Sequence, residues 1–358
     1  MMKNIYDVAI IGAGPAGAVL ARELARGDPG LKILVVDGQS DRRQKVCGGL
    51  LSPDAQKLLA RLDLTLPKSV LADPQIFAVE TVDLSAGCVR CYQRHYLNMD
   101  RQAFDSWLLS LVPESVEIIA ARCASVIESD GVYMLSLRTQ NTKTHIFATS
   151  VVGADGAGSV VRRSFFGDDL FRYVAVQQWF ECGEKDLPHY SCVFDKKTSD
   201  SCSWTIRKGE YYIFGGAFER THCREAFEEQ KARLEQFLGC SLGSPVKTEA
   251  CLLSSPRRMS DLTVGGERIY LIGEAAGFIS ASSFEGISHA ILSGKLLASA
   301  FLDGKQHDKI LKLYKKRTRK LKLRLYVKMQ KRKILCSPFL RYIIMRSGIA
   351  SVKKYTDK

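Results

Sequence analysis
A chain of 358 residues, 46% hydrophobic and 25% charged, has ample apolar side chain to bury. That excludes a disordered protein, and the length points to two domains or to one large α/β domain with an insertion. The formal net charge of +14 is localised: Lys305 to Lys358 carries 19 Lys/Arg against two acids, Asp308 and Asp357, which leaves residues 1–304 with 33 basic and 36 acidic residues, a net of −3.

In chain order, Tyr6 to Ile11 is a β-rich run without alternation, as expected of a parallel strand buried on both faces. Gly12-Ala13-Gly14-Pro15-Ala16-Gly17 follows at once, Ala18 to Arg26 continues with good helix formers, and a second strand, Leu31 to Val36, ends in Asp37. Each glycine serves a distinct physical purpose. Gly12 permits a tight turn, Gly14 lets the backbone approach a pyrophosphate, and Gly17 lets the helix pack on the strand. The helix N-terminus then offers unpaired N–H groups to the phosphates, and Asp37, 20 residues after Gly17, is placed to accept hydrogen bonds from an adenosine ribose. This unit predicts a bound dinucleotide without distinguishing NAD from FAD.

The eleven cysteines are odd in number and irregularly spaced, which argues for free thiols in a reducing cytosol. Cys88-Val-Arg-Cys91 reads either as a thiol pair on a strand or loop or as a redox or metal motif. Asp100 is placed to cap a helix beginning at Arg101, and Val151 to Arg162 reads as a strand, a polar glycine turn at Asp155 and a helix start. From about Arg172 to Ser254, β-rich runs at Tyr173 to Phe180, Tyr190 to Phe194, Tyr211 to Phe218 and Ala250 to Leu253 alternate around one helix from about Glu225 to Leu238, predicting a mostly antiparallel sheet. Ile269 to Gly277 is another strand ending in a small-residue turn, and Gly286 opens an apolar helix over Ile287 to Leu302. The six histidines share no metal-ligand spacing, so no metal is expected.

The basic tail has two readings. Ile310, Tyr314, Leu321, Leu325 and Met329 recur at helical spacing between Lys and Arg from Asp308 to Lys333, and a short apolar stretch, Pro338 to Met345, comes after them. Residues 305–358 either dock on an anionic membrane surface or pack on the body with a solvated basic face. Nucleic acid is not expected, because no recognition motif or stacking platform accompanies the charge. No apolar run reaches 18 residues, and no charged leader precedes an h-region and cleavage site, so a cytoplasmic protein, peripheral on the inner face of the membrane, is expected.

Taken together in this order, the segments resemble the FAD-dependent oxidoreductases of the p-hydroxybenzoate hydroxylase fold, and within them the geranylgeranyl reductase family, over nearly the whole chain to about Leu302. Lys45-Val46-Cys47-Gly48-Gly49-Leu50 is similar to the family's Cys-Gly-Gly segment, and Trp204-Thr205-Ile206-Arg207-Lys208-Gly209 to its Trp-x-Phe-Pro-Lys-Gly strand. Glu285-Gly286-Ile287, with Ser293-Gly294 beyond it, completes the likeness. The resemblance implies a Rossmann-like FAD-binding domain from residues 1–65, 99–165 and 261–304, a mostly antiparallel substrate domain from 66–98 and 166–260, and a basic helical region over 305–358.

By the same resemblance FAD is the cofactor. Gly12, Ala13, Gly14, Ala16 and Gly17 form its phosphate turn, Asp37 holds its ribose, Arg101 and the backbone near Cys123 flank it, and Asp155 sits near its pyrophosphate. Cys47, Gly48, Gly49, Gly286 and Ile287 lie against the flavin ring, with the helix start aimed at its pyrimidine edge. Gly273-Glu274 stands where the family usually has Gly-Asp, whose carboxylate holds the ribityl chain. Cys47 is a proton donor, a substrate-lining thiol or inert packing, and Trp204 is a chamber wall or a core residue. Cys202, Ile206 and Arg207 replace the family's Tyr, Phe and Pro, so a reshaped, more polar chamber is expected. The implied activity is reduction of a carbon–carbon double bond in a small lipophilic, lipid-like or isoprenoid substrate, with electrons from NAD(P)H or a reduced carrier protein. The alternatives are flavin-dependent hydroxylation of an aromatic or lipophilic substrate, and a non-catalytic flavin-holding protein at the membrane. Halogenases of the superfamily use a Trp-x-Trp-x-Ile strand, and Cys202 replaces its first Trp.

Overall fold
A computed structural model describes residues 5–38, 45–139, 142–183, 187–304 and 306–355. Its N-terminal unit is β1 (Ile5–Ile11), α1 (Pro15–Gly27) and β2 (Ile33–Asp37), followed by β3 (Leu50–Leu51), α2 (Pro53–Arg61), β4 (Ile76–Asp83) and β5 (Cys88–Asn98). Next come α3 (Arg101–Ser110), β6 (Glu117–Ala120), β7 (Arg122–Ser129), β8 (Val132–Arg138), β9 (Lys143–Gly153) and α4 (Val160–Phe166). The middle of the chain forms β10 (Arg172–Glu181), β11 (Tyr190–Phe194), β12 (Cys202–Lys208), β13 (Tyr211–Phe218), α5 (Cys223–Leu238) and β14 (Lys247–Ser254). The remainder is β15 (Ile269–Leu271), α6 (Ile287–Gly304), α7 (His307–Arg317), α8 (Arg319–Leu335) and α9 (Pro338–Ser347).

The unalternating runs end up where both faces must be covered. β1 lies between β2 and β9, parallel to both, in a seven-stranded sheet ordered β6-β2-β1-β9-β8-β7, with β15 parallel to the end of β9. The second sheet has eight strands ordered β14-β10-β13-β12-β11-β4-β5-β3 and is antiparallel except for the β4–β11 pair. β3 pairs Leu50 with Asn98 of β5, so this short strand belongs to the second sheet although the sequence puts residue 50 in the first domain. The hairpin of β7 and β8, absent from the sequence reading, widens the first sheet by an antiparallel meander ending in β9. Cys88 and Cys91 lie on β5, and none of the eleven cysteines is joined in a disulfide.

The tail corrects one expectation. The apolar stripe that suited membrane insertion, Ile310, Tyr314, Leu321, Leu325 and Met329, is buried in the core of the first sheet. A helical stripe of this kind gains its stability from whichever apolar surface lies nearest, and here that is the body of the same chain. The Tyr314 hydroxyl donates to Leu271 O at 3.0 Å, and the Thr318 hydroxyl donates back to Tyr314 O at 2.8 Å where α7 gives way to α8. Farther along, Arg332 Nη2 donates to the Tyr173 hydroxyl at 2.6 Å and pairs with Asp200 at 2.7 Å. Arg341 pairs with Asp83 at 2.7 Å, both buried, with the guanidinium over the Phe194 ring. The tail is thus tied first to one sheet and then to the other. Lys305, Asp357 and Lys358, which enter the charge count, lie outside the described residues.

Removing a buried leucine side chain from such a contact costs about 2–5 kcal/mol. Leu325→Ala should lower the urea-denaturation stability of the whole protein by that amount, whereas the exposed Lys333→Ala should change it by less than ~0.5 kcal/mol. A negligible loss at Leu325 would mean that α8 does not contribute to the core.

Candidate functional site
The first turn is held by contacts that leave no room for side chains. Gly12 has φ +108°, and a Cβ there would lie 2.5 Å from Ala154 O; one on Gly17 would lie 2.0 Å from Gly12 O. Gly14 is different: its backbone is extended, and a Cβ would meet nothing within 4 Å. Ala13 and Ala16 are buried beside it, and Ala16 also packs against Gly273, where a Cβ would come within 3.0 Å of the alanine methyl. Asp37 closes β2, its carbonyl accepting from Ala121 N at 3.0 Å. Cys123 is buried near the start of β7, where burial first and then the Asp155 charge push its thiol up to about 12. Asp155 Oδ2 accepts from Val160 N at 2.7 Å, while its buried Oδ1 has no protein partner; burial pushes this carboxyl above its ordinary value.

A second group of residues converges from the Cys47–Gly49 loop, the start of α3 and the strand β12. Gly49 N donates to Cys47 Sγ at 3.4 Å, and Arg101, paired with Asp105 at 2.8 Å, lies within electrostatic range of the Cys47 sulfur. Burial works against the Arg101 charge, but Asp105 and Cys47 outweigh it and raise the guanidinium above its ordinary value. Opposite the loop, residues 202, 204, 206 and 208 share one face of β12 by the two-residue period of a strand. Ile206 comes closest to Gly48, and the Trp204 indole lies over Gly215 with Nε1 donating to Gln177 Oε1 at 3.3 Å. Cys192 stands opposite Trp204 on β11, and Tyr190, opposite Ile206, meets Tyr96 edge to face at 5.8 Å. Cys202 neighbours Cys192, which together with burial holds its thiol well above the ordinary value.

Lys208 completes this wall, and the sequence reading did not single it out. Its buried ammonium donates to Asn98 Oδ1 at 2.7 Å, Met99 O at 2.6 Å and Gly49 O at 3.3 Å, and burial pushes its pKa down to about 8. The available signal was its place four residues after Trp204, on the same strand face.

Glu274 does not stand free for a ribityl chain. Oε1 accepts from Ser254 N at 2.8 Å and Oε2 pairs with Lys45, whose ammonium is held above its ordinary value by that carboxylate despite burial. The extra methylene of Glu relative to Asp gives the reach to β14. At the start of α6, Glu285 accepts from Ser288 N at 2.9 Å and pairs with His289 at 3.1 Å. Burial raises this carboxyl, but His289 and Ser288 outweigh it and hold it below its ordinary value. A Cβ on Gly286 would meet only Ile279, at an ordinary 3.6 Å, and Ile287 is buried behind it.

These features fit an extended dinucleotide. At Gly14 and Gly286 the protein itself gives no steric reason for glycine, and Asp155 carries a buried oxygen without a partner. A cofactor lying along the first turn, past Asp155 and up to the Cys47–Gly49 loop would account for all three.

Comparison with known proteins agrees with this geometry. The family model described as lycopene cyclase protein matches residues 7–179. Protein CbrA of Escherichia coli O6:H1 is 44% identical, over 98% of this chain and 96% of its own length. A geranylgeranyl bacteriochlorophyll reductase-like protein from Thermoplasma acidophilum superposes with a TM-score of 0.78 at 19% identity, covering 99% of this chain and 94% of its own. A variant of HpxO from Klebsiella pneumoniae, solved in complex with FAD, gives a TM-score of 0.70 at 14% identity over 96% and 94% of the two chains. The fold is that of the FAD-dependent oxidoreductases.

Two outcomes are expected from this geometry. Gly14→Val places a branched side chain where the backbone is open, so the purified variant should fold with the melting temperature of the flavin-free wild type yet lose the flavin absorbance of the wild type; full flavin in this variant would place the cofactor elsewhere. For Lys208 the folded pKa of about 8 lies below the unfolded value of 10.5, so the unfolded chain binds more protons between these limits and stability rises with pH. Relative to Lys208→Met, the wild type should therefore gain about 2 kcal/mol between pH 8 and pH 10, read by urea denaturation of both proteins. A pH-independent difference would show that Lys208 is not titrating in the buried site.

Proposed function
Because the chain belongs to the family of the CbrA proteins and has the fold of the FAD-dependent oxidoreductases, we propose that it binds FAD and reduces a carbon–carbon double bond of a lipid-like or isoprenoid substrate. The observation that carries this reading is the wall facing the Cys47–Gly49 loop: Ile206, Trp204, Cys192 and Tyr190 present a largely apolar and aromatic face, and the Cys47 thiol stands beside Arg101 across from it. Bound FAD, reduced by NAD(P)H or a reduced carrier protein, supplies the hydride.

The chain's own residues do the rest. The first amides of α1 and the open backbone at Gly14 bind the pyrophosphate, and Asp37 binds the ribose. Gly48, Gly49 and Gly286 allow close approach to the ring, while Lys208 holds the Gly49 and Met99 carbonyls in place. Trp204 and Ile206 orient the substrate and exclude water. Cys47 Sγ delivers the proton to the second carbon, and the adjacent Arg101 stabilises the thiolate left behind. Atoms balance: hydride and proton together saturate one double bond.

A second reading, hydroxylation of an aromatic substrate, is favoured by the polar chain behind Trp204, where the Gln177 side chain accepts from the indole and donates to Glu249 at 3.4 Å. Strictly anaerobic turnover of a geranylgeranyl lipid with dithionite-reduced protein separates the two. The reductase reading expects product with two added hydrogens by mass spectrometry, and Cys47→Ala should keep its flavin while losing about 100-fold in rate. Oxygen-dependent NAD(P)H oxidation with an aromatic substrate, and no anaerobic product, would replace it with the hydroxylase. Absence of both would leave a flavin-holding protein without turnover.

A further inference from the structure
With one face of α8 committed to the core, its opposite face is the unexpected feature. A helix advances 100° per residue, so Leu323, Val327 and Ile334 fall within about 40° of one another, opposite Leu321, Leu325 and Met329. Leu323 is 62% exposed and Val327 57%. On α9 only Arg341 and Met345 are buried; Phe339 is 70% exposed, Leu340, Ile343 and Ile344 are also exposed, and Ile349, just beyond the helix, is 72% exposed. Large apolar side chains gathered this way do not persist on a surface without a partner.

The charge around them identifies the partner. Lys315, Lys316, Arg319, Lys320, Arg324, Lys331 and Lys333 are exposed on the same two helices, α7 and α8. Among the described residues, the ion pairs of this region engage Lys312, Arg317, Arg332, Arg341 and Lys354, not these seven. Lys322 and Lys331 are lowered from the ordinary lysine value by burial first and then by neighbouring cations, Lys315 for the first and Lys328 and Arg94 for the second. No helix among the described residues is long and apolar enough to cross a membrane.

We propose that the outer face of α8 and α9 docks on an anionic phospholipid surface, with Lys and Arg drawn to the headgroups and Leu323, Val327, Phe339 and Ile343 entering the interface. Charge gives attraction at a distance and apolar area gives a component that salt does not remove. Docking also orients the molecule. Arg332 and Cys336, at the end of α8, lie within electrostatic range of Cys202, and Lys331 within range of Cys192, so the membrane-facing helix borders the β11–β12 face that carries Trp204 and Ile206. The docking itself does not depend on the redox chemistry proposed above.

The test is sedimentation of the full chain with vesicles of equal parts phosphatidylglycerol and phosphatidylcholine, against pure phosphatidylcholine and against duplex DNA. The wild type should sediment with the anionic vesicles only, and part of it should stay bound at ~1 M salt, where the Debye length is about 3 Å. Lys320→Gln, Arg324→Gln and Lys333→Gln combined should weaken low-salt binding on the order of 100-fold. Phe339→Ser with Ile343→Ser should keep low-salt binding yet be fully released at high salt. All five side chains are exposed, so unchanged melting temperatures identify folded variants. Equal binding to neutral vesicles, no binding to either, or tighter binding to DNA than to anionic vesicles at the same salt would overturn the proposal, the last by assigning the face to nucleic acid.

Discussion

The close approach of α1 to the turn that precedes it governs the rest of the molecule. The carbonyl of Gly12 occupies the space where a side chain on Gly17 would be, and on the far side of the helix a Cβ on Gly294 would stand 2.5 Å from Ala16 O. α1 is therefore gripped between β1 and α6. Widening either contact by one methyl group would shift the helix N-terminus, whose amides present partial positive charge to an anion. Ser293, next to Gly294, receives the amide of Gly273 at 2.9 Å, so the same helix pair also fixes the turn that carries Glu274.

Buried cations form the second layer of organisation. Lys208, Arg162 and Arg341 are each taken out of water and donate hydrogen bonds to buried acceptors: Lys208 to Asn98, Met99 and Gly49, Arg162 to Ala275 O and Asp261 O, Arg341 to Asp83 and Leu335 O. Such groups add little net stability over apolar packing but are costly to leave half-satisfied, so they fix relative position more than they add strength. Each one joins segments far apart in sequence. Lys208 ties β12 to the Cys47–Gly49 loop, Arg162 ties α4 to the small-residue turn after β15, and Arg341 ties the tail to β4.

The departures from the family pattern can now be read in space. Cys202, in place of Tyr, makes a thiol contact with Cys192, and Ile206, in place of Phe, leaves its terminal methyl against Gly48. Both changes remove aromatic bulk from the wall opposite the loop while keeping it apolar. Arg207, in place of Pro, keeps its amide, which donates to His189 O at 2.9 Å and extends the pairing of β12 with the segment before β11.

Local physics alone determined much of this protein. An unalternating β-rich run must be buried on both faces, and a glycine turn between strand and helix makes an anion site. Asp100 must cap the helix that begins at Arg101, and it does so through its side chain, which accepts from Ala103 N at 2.8 Å. Those features depend on neighbours within a few residues, so β1, α1, β2, α3 and the strands of the second sheet from Tyr190 to Phe218 were legible. The sequence could not decide which partner a given surface finds. Ile310, Tyr314, Leu321, Leu325 and Met329 have the same spacing whether they meet lipid or protein, and only the folded chain shows that the first sheet's core takes them and leaves Leu323, Val327 and Phe339 outside. Likewise Glu274 meets Ser254 N only because the fold brings β14 to it, and Lys208 finds its acceptors only because β5 and the Cys47–Gly49 loop close over it. Contacts of this kind span from 20 to more than 150 positions, and no local preference encodes them.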